Sequence, residues 1–307
     1  MKILITGSRG MVGSNIIEHT TANKHEILSP TSADLNLLDA ESVKQYIVAN
    51  SPDMVIHTAG IVGGIQANMA EPVRFLVDNM QMGLNILMAS RTHEVKWFMN
   101  LGSSCMYPRD AQNPLSEDLI LKGELEPNNE GYAIAKVAST RLCEYINRED
   151  ESFLYKTVIP CNLYGKYDKF YPEHSHMIPA VIRKINDAKN NNLKSIDIWG
   201  DGLARREFMY TADFADFVYY AIDNFEVMPQ NINVGLGHDY TINEYYKKIA
   251  DTVGYQGKFT HDLSRPTGMQ QKLVDDTKLK AFGWQPQTTL EQGIQKTYDY
   301  FLNEVEK

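Results

Sequence analysis

Short apolar runs alternate with longer segments of helical periodicity along the first half of the chain. Apolar runs bounded by polar or glycine-rich stretches predict strands at 2–6, 54–58, 95–101 and 154–160. Between them, apolar residues recur with helical spacing, most clearly over 72–91 and 132–148. Strands and helices that alternate in this way predict an α/β fold with a Rossmann-type, doubly wound parallel sheet.

A glycine-rich loop separates the first predicted strand from the first predicted helix, 11–23. Its spacing is Gly7-x-x-Gly10-x-x-Gly13. In a dinucleotide-binding turn, the first glycine permits the tight turn, the second lets the backbone approach a pyrophosphate, and the third lets helix pack on strand. The helix N-terminus then faces the phosphates. A glycine-rich turn in another kind of α/β protein is the alternative.

The segment after the second predicted strand, 25–28, bears on the choice of dinucleotide. An acid there would bind the ribose 2′-hydroxyl of NAD. The run 29–33 has no acid before Asp34, and Arg9 in the glycine loop could reach a 2′-phosphate. The pattern favours NADP(H), although Arg9 could instead be a solvated loop charge.

The pattern changes from about residue 166, where aromatic residues and prolines cluster and the predicted elements become shorter. We predict an NADP-binding domain over 1–165, which also takes in returning segments near 207–235. Residues 166–307 would form mainly a smaller, mixed α/β substrate-binding domain. It would cap the carboxyl edge of the sheet, where ligands of α/β proteins bind.

A serine, a tyrosine and a lysine suggest carbonyl chemistry at that edge. Ser103 follows a predicted strand, and Tyr132 and Lys136 lie four residues apart on one helix face. Together they can polarise a carbonyl and protonate the alkoxide formed when a hydride arrives. We expect Lys136 to lower the pKa of Tyr132, so that Tyr132 supplies a proton near neutral pH. Tyr-x-x-x-Lys also occurs by chance, so its position in the fold carries the prediction.

Cys105 comes two residues after Ser103, so on a strand it would point to the same side. With His176, from the aromatic segment, it could move a proton on a carbon next to a ketone. The alternative is a small buried filler, which we expect for Cys143 and Cys161.

Four further side chains could hold a nucleotide-sugar. Arg183, on a predicted helix, and Arg205-Arg206 could bind a diphosphate through charge-assisted hydrogen bonds. Trp199 could stack on a base or sugar. The alternatives are a solvated face for the arginines and a core anchor for the tryptophan.

Composition narrows the possible partners and compartment. The chain has 307 residues, a net charge of -9 and three cysteines. The negative charge argues against nucleic acid and against an anionic membrane surface. The sparse, odd cysteines argue against a disulfide framework. We therefore expect a cytoplasmic protein with no signal peptide, no membrane span and no metal.

Several stretches together resemble one family. The chain is similar to the extended short-chain dehydrogenase/reductases, and among them to the GDP-L-fucose synthase family of GDP-4-keto-6-deoxy-mannose 3,5-epimerase-4-reductases. The resemblance covers nearly the whole chain, and SSCMYP and SHMIPA are its most specific parts. The matching stretches are SRGMVGS, ADLNLLD, IVGGIQAN, LGSSCMYP, LEPNNEGYAIAK, PCNLYG, HSHMIPA, WGDG with RREF, and NINVG.

The resemblance implies a role for each matching residue. Ser103, Tyr132 and Lys136 would serve reduction at C4 by NADPH, and Cys105 and His176 would invert C3 and C5. A GDP-sugar would be the substrate. The positions predicted to bind the cofactor are Gly7, Ser8, Arg9, Gly10, Met11, Val12, Gly13, Ser32, Asp39, Ala59, Gly60, Leu101, Gly102, Lys136, Pro160, Asn162, Leu163 and His176. Those predicted to bind the substrate are Ser104, Asn162, Arg183, Trp199, Arg206 and Lys272.

Three departures from the family pattern leave the sugar open. Ser32 stands where many members have an arginine, Thr267 where an acid is usual, and Gly131 where a proline is common. A 6-deoxyhexose, a dideoxyhexose and a heptose all remain possible, as does C4 reduction without epimerisation. A 4,6-dehydratase is disfavoured because no acid pair follows Ser103, and an inactive NADP-binding sensor because Tyr132 and Lys136 are present. Helices 72–91 and 132–148 could form a four-helix interface, as members of the family commonly do, so the resemblance implies a homodimer; a monomer is the alternative.

Overall fold

A computed structural model describes residues 1–171, 175–265 and 268–306. Its first half alternates strands and helices around one sheet. The elements are β1 (Lys2–Thr6), α1 (Met11–Glu18), β2 (Glu26–Leu28), α2 (Ala40–Asn50), β3 (Met54–His57), α3 (Ile65–Ala70), α4 (Pro72–Thr92), β4 (Trp97–Leu101), α5 (Glu130–Glu149), β5 (Leu154–Pro160) and β6 (Asn162–Tyr164). The second half contains α6 (Met177–Asn190), β7 (Ser195–Trp199), β8 (Arg205–Arg206), β9 (Phe208–Tyr210), α7 (Thr211–Asp223), β10 (Asn231–Val234), β11 (Tyr240–Thr241), α8 (Ile242–Val253), β12 (Lys258–Asp262), β13 (Gln271–Lys272), α9 (Thr277–Phe282) and α10 (Leu290–Tyr300).

Six parallel strands form the central sheet, in the order β10-β5-β4-β3-β1-β2. Every residue of β3 is buried, as expected for a parallel strand that helices cover on both faces. The strand order reverses between β1 and β3, and such a reversal opens a ligand crevice at the carboxyl ends of the strands. The predicted doubly wound parallel sheet is confirmed, and β10 joins it from beyond residue 165.

The second half adds small sheets and its own apolar core above that crevice. β6 pairs with β9, β7 pairs with β12, and β8 lies between β11 and β13. A separate apolar cluster includes Ile182 of α6, Ile249 of α8 and Ile294 of α10. This cluster packs α6, α8 and α10 together, apart from the cluster that includes the central sheet. Across residues 1–171, 175–265 and 268–306, no helix has the length and apolar character needed to cross a bilayer.

Some element boundaries differ from the sequence prediction. The first helix ends at Glu18, and a separate 3-10 turn follows at Thr20–Lys24. Residues 205–210 form two short strands on either side of the buried Glu207: β8 pairs with β11 and β13, and β9 pairs with β6. The last helix ends at Tyr300 and continues as a π-turn, Phe301–Val305.

The buried Lys156 of β5 holds the chain segment that follows α7. Its Nζ donates to the carbonyl oxygens of Phe225, Glu226 and Met228 at 2.5, 2.9 and 2.5 Å. Methionine in its place would leave these carbonyls without their donor. We expect Lys156→Met to lower the free energy of unfolding by about 2–4 kcal/mol, measured by urea denaturation. Lys44→Met, at an exposed ion pair on α2, is the control, and a similar loss in both variants would contradict the prediction.

Candidate active site

The glycine loop has the geometry of a phosphate-binding turn. Gly7 has φ +71°, and a Cβ there would lie 2.7 Å from the Cα of Ala59, which follows β3. A Cβ on Gly13 would lie 2.4 Å from the Gly7 carbonyl oxygen, so α1 starts directly against the loop. Gly10 is exposed, and its amide donates to the Gly7 carbonyl oxygen at 2.9 Å, which closes the turn. Loop and helix together form a cradle for a pyrophosphate at the end of β1.

The run after β2 lies beside this loop. The hydroxyl of Ser8 donates to the Pro30 carbonyl oxygen at 2.8 Å. Asp34 is engaged locally, because it accepts hydrogen bonds from Thr31, and these bonds, with a smaller contribution from the charge of Arg9, lower its pKa. Arg9 and Ser32 are exposed at this edge, where a 2′-phosphate would lie. Asp39 is exposed and caps α2, because one of its carboxylate oxygens accepts from the Glu41 amide at 3.0 Å.

Lys136 lies buried where α5 meets the ends of β3 and β4. Its Nζ donates to the Leu101 carbonyl oxygen at 2.8 Å and lies 3.9 Å from where a Cβ of Gly60 would be. Burial lowers the pKa of Lys136 to about 8. Other predicted cofactor positions lie along the same edge of the sheet. They are Gly102, after β4, Pro160, at the end of β5, and Leu163, in β6. Met11 and Val12 open α1 and pack against the core.

The pKa of Tyr132 differs from the sequence prediction. Burial raises its pKa, the charge of Cys105 raises it further, and a hydrogen bond with Ser103 acts in the opposite direction. The expectation that Lys136 lowers this pKa is wrong, since Nζ lies 5.8 Å from the Tyr132 ring centre and bonds to Leu101. The phenol is therefore protonated at neutral pH, which suits a proton donor.

Cys105 lies in a turn, and the strand argument made for it is wrong. β4 ends at Leu101, and Ser104–Met106 form a 3-10 turn in which Ser104 and Met106 are buried. The Cys105 amide donates to Ser103 Oγ at 3.2 Å, so the two residues still lie side by side.

Two donors from distant parts of the chain meet at the Cys105 sulfur. Asn129 Nδ2 donates to Sγ at 3.1 Å and Lys272 Nζ at 3.4 Å. Burial acts to raise the pKa of Cys105, but the Lys272 charge and the hydrogen bonds to the sulfur outweigh it and bring the pKa below its ordinary value. Burial raises the pKa of Cys143 and Cys161, which lie in the core. Cys105 alone of the three is set up to act as a thiolate.

His176 is the N-cap of α6. Burial lowers the pKa of its imidazole, and the nearby charge of Lys169 lowers it further, so the ring is neutral at pH 7. The preceding Ser175 carbonyl oxygen lies 3.2 Å from where a Cβ of Gly64 would be. His176 therefore borders the loop between β3 and α3, at the mouth of the crevice.

Arg206 and Lys272 are paired across β8 and β13. The pKa of Arg206 is lowered by burial, while charges that include Glu126 and Cys105 act to raise it. Arg205 points elsewhere and pairs with Asp239 at 2.7 Å, so of the two adjacent arginines Arg206 is the one directed toward Cys105. Asn162 supports this region, since its Nδ2 donates to the Glu207 carbonyl oxygen at 2.9 Å.

Arg183 and Trp199 lie further along the second half. The guanidinium of Arg183 lies 5.0 and 5.3 Å from the ring centres of Tyr171 and Phe301. Trp199 ends β7, is 41% exposed, and has Arg265 at 5.0 Å from its ring. Neither the solvated face nor the core anchor considered for these residues describes them. Thr267, and His174 of the HSHMIPA stretch, lie outside the described residues.

Two residues near the site were not anticipated. The only sequence signal for Asn129 was its position three residues before Tyr132. Glu207 accepts hydrogen bonds from the amides of Gly237 and Val274, each at 3.0 Å, and burial raises its pKa to about 7. Glu207 thereby ties the loop after β10 to β13, the strand that carries Lys272. A charge between the pair RR and the apolar run FMY was its only signal in the sequence.

The ion pair between Lys272 and Cys105 gives a prediction that requires no substrate. Removing the positive charge raises the thiol pKa, so we expect Lys272→Met to move the pH midpoint of iodoacetamide alkylation upward by about one unit. At pH 7 the alkylation rate should fall accordingly. Lys280→Met, at an exposed ion pair on α9, should leave the midpoint unchanged. Identical profiles for Lys272→Met and the parent protein would refute the assignment.

Comparisons with known proteins agree with this geometry. The model of the NAD dependent epimerase/dehydratase family matches residues 3–235. The chain is 58% identical over 304 residues to a GDP-L-colitose synthase of Yersinia pseudotuberculosis, covering 99% of both proteins. It is 40% identical to a GDP-L-fucose synthase of Escherichia coli K12, covering 98% of this chain and 96% of the relative.

Solved structures superimpose over nearly the full length. MlghC, a GDP-mannoheptose C4 reductase of Campylobacter jejuni with NADP bound, has a TM-score of 0.88 and 29% identity, covering 98% of both chains. A GDP-L-fucose synthetase of Naegleria fowleri bound to NADP has a TM-score of 0.88 and 27% identity, covering 98% of this chain and 94% of that one. The chain therefore belongs to the NAD dependent epimerase/dehydratase family and, within it, to the extended short-chain dehydrogenase/reductases of the GDP-L-fucose synthase group.

Proposed function

We propose that this protein is an NADPH-dependent enzyme that inverts carbons next to the C4 ketone of a GDP-4-keto-6-deoxy sugar and then reduces that ketone. The observation that carries the proposal is the hydrogen-bonded set Ser103, Tyr132 and Cys105, beside the buried Lys136. Ser103, Tyr132 and Lys136 suit carbonyl reduction, and Cys105 suits proton exchange on a neighbouring carbon.

The cofactor site fits NADP(H) at both ends. The cradle at Gly7–Gly13 suits the pyrophosphate, and Arg9 with Ser32 lies where a 2′-phosphate would be. Lys136 would bind the nicotinamide ribose. NADPH, when bound, supplies the hydride for C4. Tyr132 then gives its phenolic proton to the resulting oxyanion, while Ser103 holds the same oxygen in place.

Epimerisation would precede reduction, because it requires the ketone. The C4 carbonyl acidifies the protons on the neighbouring carbons. Cys105, as a thiolate, removes a proton to give an enolate-like intermediate, and His176, which takes up a proton from solvent at the mouth of the crevice, returns one to the opposite face. Arg206 and Lys272, on adjacent strands beside Cys105, would bind the sugar and its diphosphate.

The identity of the sugar has two candidates. The 58% identity to a GDP-L-colitose synthase favours a dideoxy substrate over the fucose precursor. Colitose is a 3,6-dideoxy sugar, so its C3 is a methylene and only C5 can be inverted. The same Cys105 and His176 pair would then act at a single stereocentre.

Turnover in heavy water distinguishes these functions. The protein would be incubated with NADPH and either GDP-4-keto-6-deoxy-mannose or its 3-deoxy analogue, and NMR would locate deuterium and identify the product. Deuterium at C3 and C5 with GDP-L-fucose as product would establish the fucose route. Preferential turnover of the 3-deoxy sugar, with inversion at C5, would establish the colitose route. NADPH oxidation without deuterium at C5 would overturn epimerisation and leave a C4-reductase.

We also propose a cytoplasmic homodimer formed by α4 and α5. The free cysteines suit a reducing compartment. Val73, Val77 and Leu84 lie on one face of α4 and are 73%, 52% and 46% exposed. A second copy would cover this stripe. Val77→Lys should convert the dimer to a monomer in multi-angle light scattering, whereas Val48→Lys on α2 should not. A parent protein that is monomeric at high concentration would refute the dimer.

A further inference from the structure

Asn129 occupies the N-cap position of α5, the helix that carries Tyr132 and Lys136. Asparagine is among the best N-cap residues, because its side-chain oxygen accepts a free amide of the first turn. Within the described residues, Asn129 makes no such bond, and its backbone, at φ -143° and ψ 24°, is outside the extended region typical of a cap. Its side chain is turned instead to Cys105, with Nδ2 3.1 Å from Sγ.

The other end of the same amide is left unpaired. Asn129 Oδ1 is buried, and it has no hydrogen-bond partner among residues 1–171, 175–265 and 268–306. Helix stability alone would favour the reverse arrangement, with the oxygen on the helix amides and the N–H toward solvent. A buried acceptor without a partner is costly and calls for a reason. The bond to sulfur supplies one, since it determines the orientation of the amide.

We propose that Asn129 is a positioning residue for Cys105, which fixes the sulfur and favours its thiolate form for proton removal from the sugar. The inference rests on the proposed function. An N–H directed at sulfur favours the form with more acceptor capacity, which is the thiolate. Lys272 reaches the same sulfur from β13, so donors from two separate elements fix its place. Asn129 is also one helical turn before Tyr132, which links the positions of the two proton-transferring groups.

Two substitutions separate this role from a structural one. In Asn129→Ser the hydroxyl can cap α5, so thermal stability should be equal or higher, yet the donor to sulfur is lost. Asn129→Asp keeps the shape, can also cap, and replaces the donor with a negative charge near Sγ. We expect the pH midpoint of Cys105 alkylation to rise by about one unit in the serine variant and by more in the aspartate variant.

The decisive experiment uses two readouts on these variants and on Asn128→Ser, whose side chain bonds to Glu126 instead. Iodoacetamide alkylation of the ligand-free protein reports the thiol and needs no substrate. The second readout compares two rates. One is solvent deuterium entry at C5, and the other is NADP⁺-dependent oxidation of the GDP-L-sugar product, which needs only the C4 step. We expect deuterium entry to fall at least tenfold in both Asn129 variants, with C4 oxidation within about twofold of the parent.

Alkylation midpoints that stay unchanged in both Asn129 variants would overturn the inference, as would equal losses in the two steps. A shifted midpoint in a protein that turns over no GDP-sugar would support the contact between Asn129 and Cys105 while refuting the proposed function. The two failures are therefore distinguishable.

Discussion

Tyr132→Phe should abolish most of the C4 reduction and leave the rest of the site working. The phenol is the protonated group at the ketone, and its hydrogen bond with Ser103 places it there. Without it, the oxyanion formed by hydride arrival has no nearby proton donor. Since general acid catalysis contributes about 10²–10⁴-fold, we expect kcat for NADPH oxidation to fall by that range.

NADPH affinity and deuterium exchange at C5 should persist in this variant. Lys136 keeps its bond to Leu101, and the Cys105 sulfur keeps both of its donors. The measurements are NADPH oxidation under saturating GDP-4-keto sugar, NADPH binding by fluorescence, and NMR of the sugar in heavy water. Tyr145→Phe, on the exposed side of the same helix, is the matched control. Tyr132→Phe with the parent rate of reduction would remove Tyr132 from the mechanism.

The sheet and the cofactor loop were predictable because their signals are local. Parallel strands covered on both faces must be apolar along their whole length, as β3 is. The turn at Gly7 has a positive φ and packs closely on Ala59. Glycine is the residue that permits both, so the sequence marks the turn. In these regions, the local sequence favours the same backbone conformation and burial that the tertiary structure requires.

The details of the site depend on contacts that span the chain. Cys105 lies beyond the end of β4, in a 3-10 turn whose residue Met106 is buried together with Tyr107, and no local pattern marked that turn. The acidity of Tyr132 depends on burial, which a Tyr-x-x-x-Lys pattern does not encode. Asn129 bonds a sulfur 24 residues away, and no local pattern marks such a bond.

The local sequence also does not show which of two adjacent arginines faces the site. Arg205 and Arg206 are identical in type, and neighbouring positions on a strand face opposite sides. Arg205 pairs with Asp239, whereas Arg206 lies near Cys105. Because β8 is only two residues long, no apolar alternation shows which side faces the crevice. The assignment depends on the pairing of β8 with β11 and β13.

Cys105→Ala should have the opposite effect to Tyr132→Phe: it should remove epimerisation and leave C4 reduction. The proposed base for C5 is lost with the thiolate, and we expect deuterium entry and inversion there to fall by at least about 10²-fold. The C4 step should survive, because Tyr132, Ser103 and Lys136 are intact. Loss of the negative charge on Cys105 also removes one of the factors that raise the pKa of Tyr132.

The expected product of Cys105→Ala is therefore a GDP-sugar reduced at C4 with its C5 configuration unchanged, identified by NMR. Oxidation of the natural product by NADP⁺ should run near the parent rate, which shows that the variant is folded and binds its ligands. Cys143→Ala, which removes a buried thiol from α5, is the matched control and should give the inverted product. If Cys105→Ala still exchanged C5 at the parent rate, the base would have to be another group, and the donors gathered around this sulfur would need a different explanation.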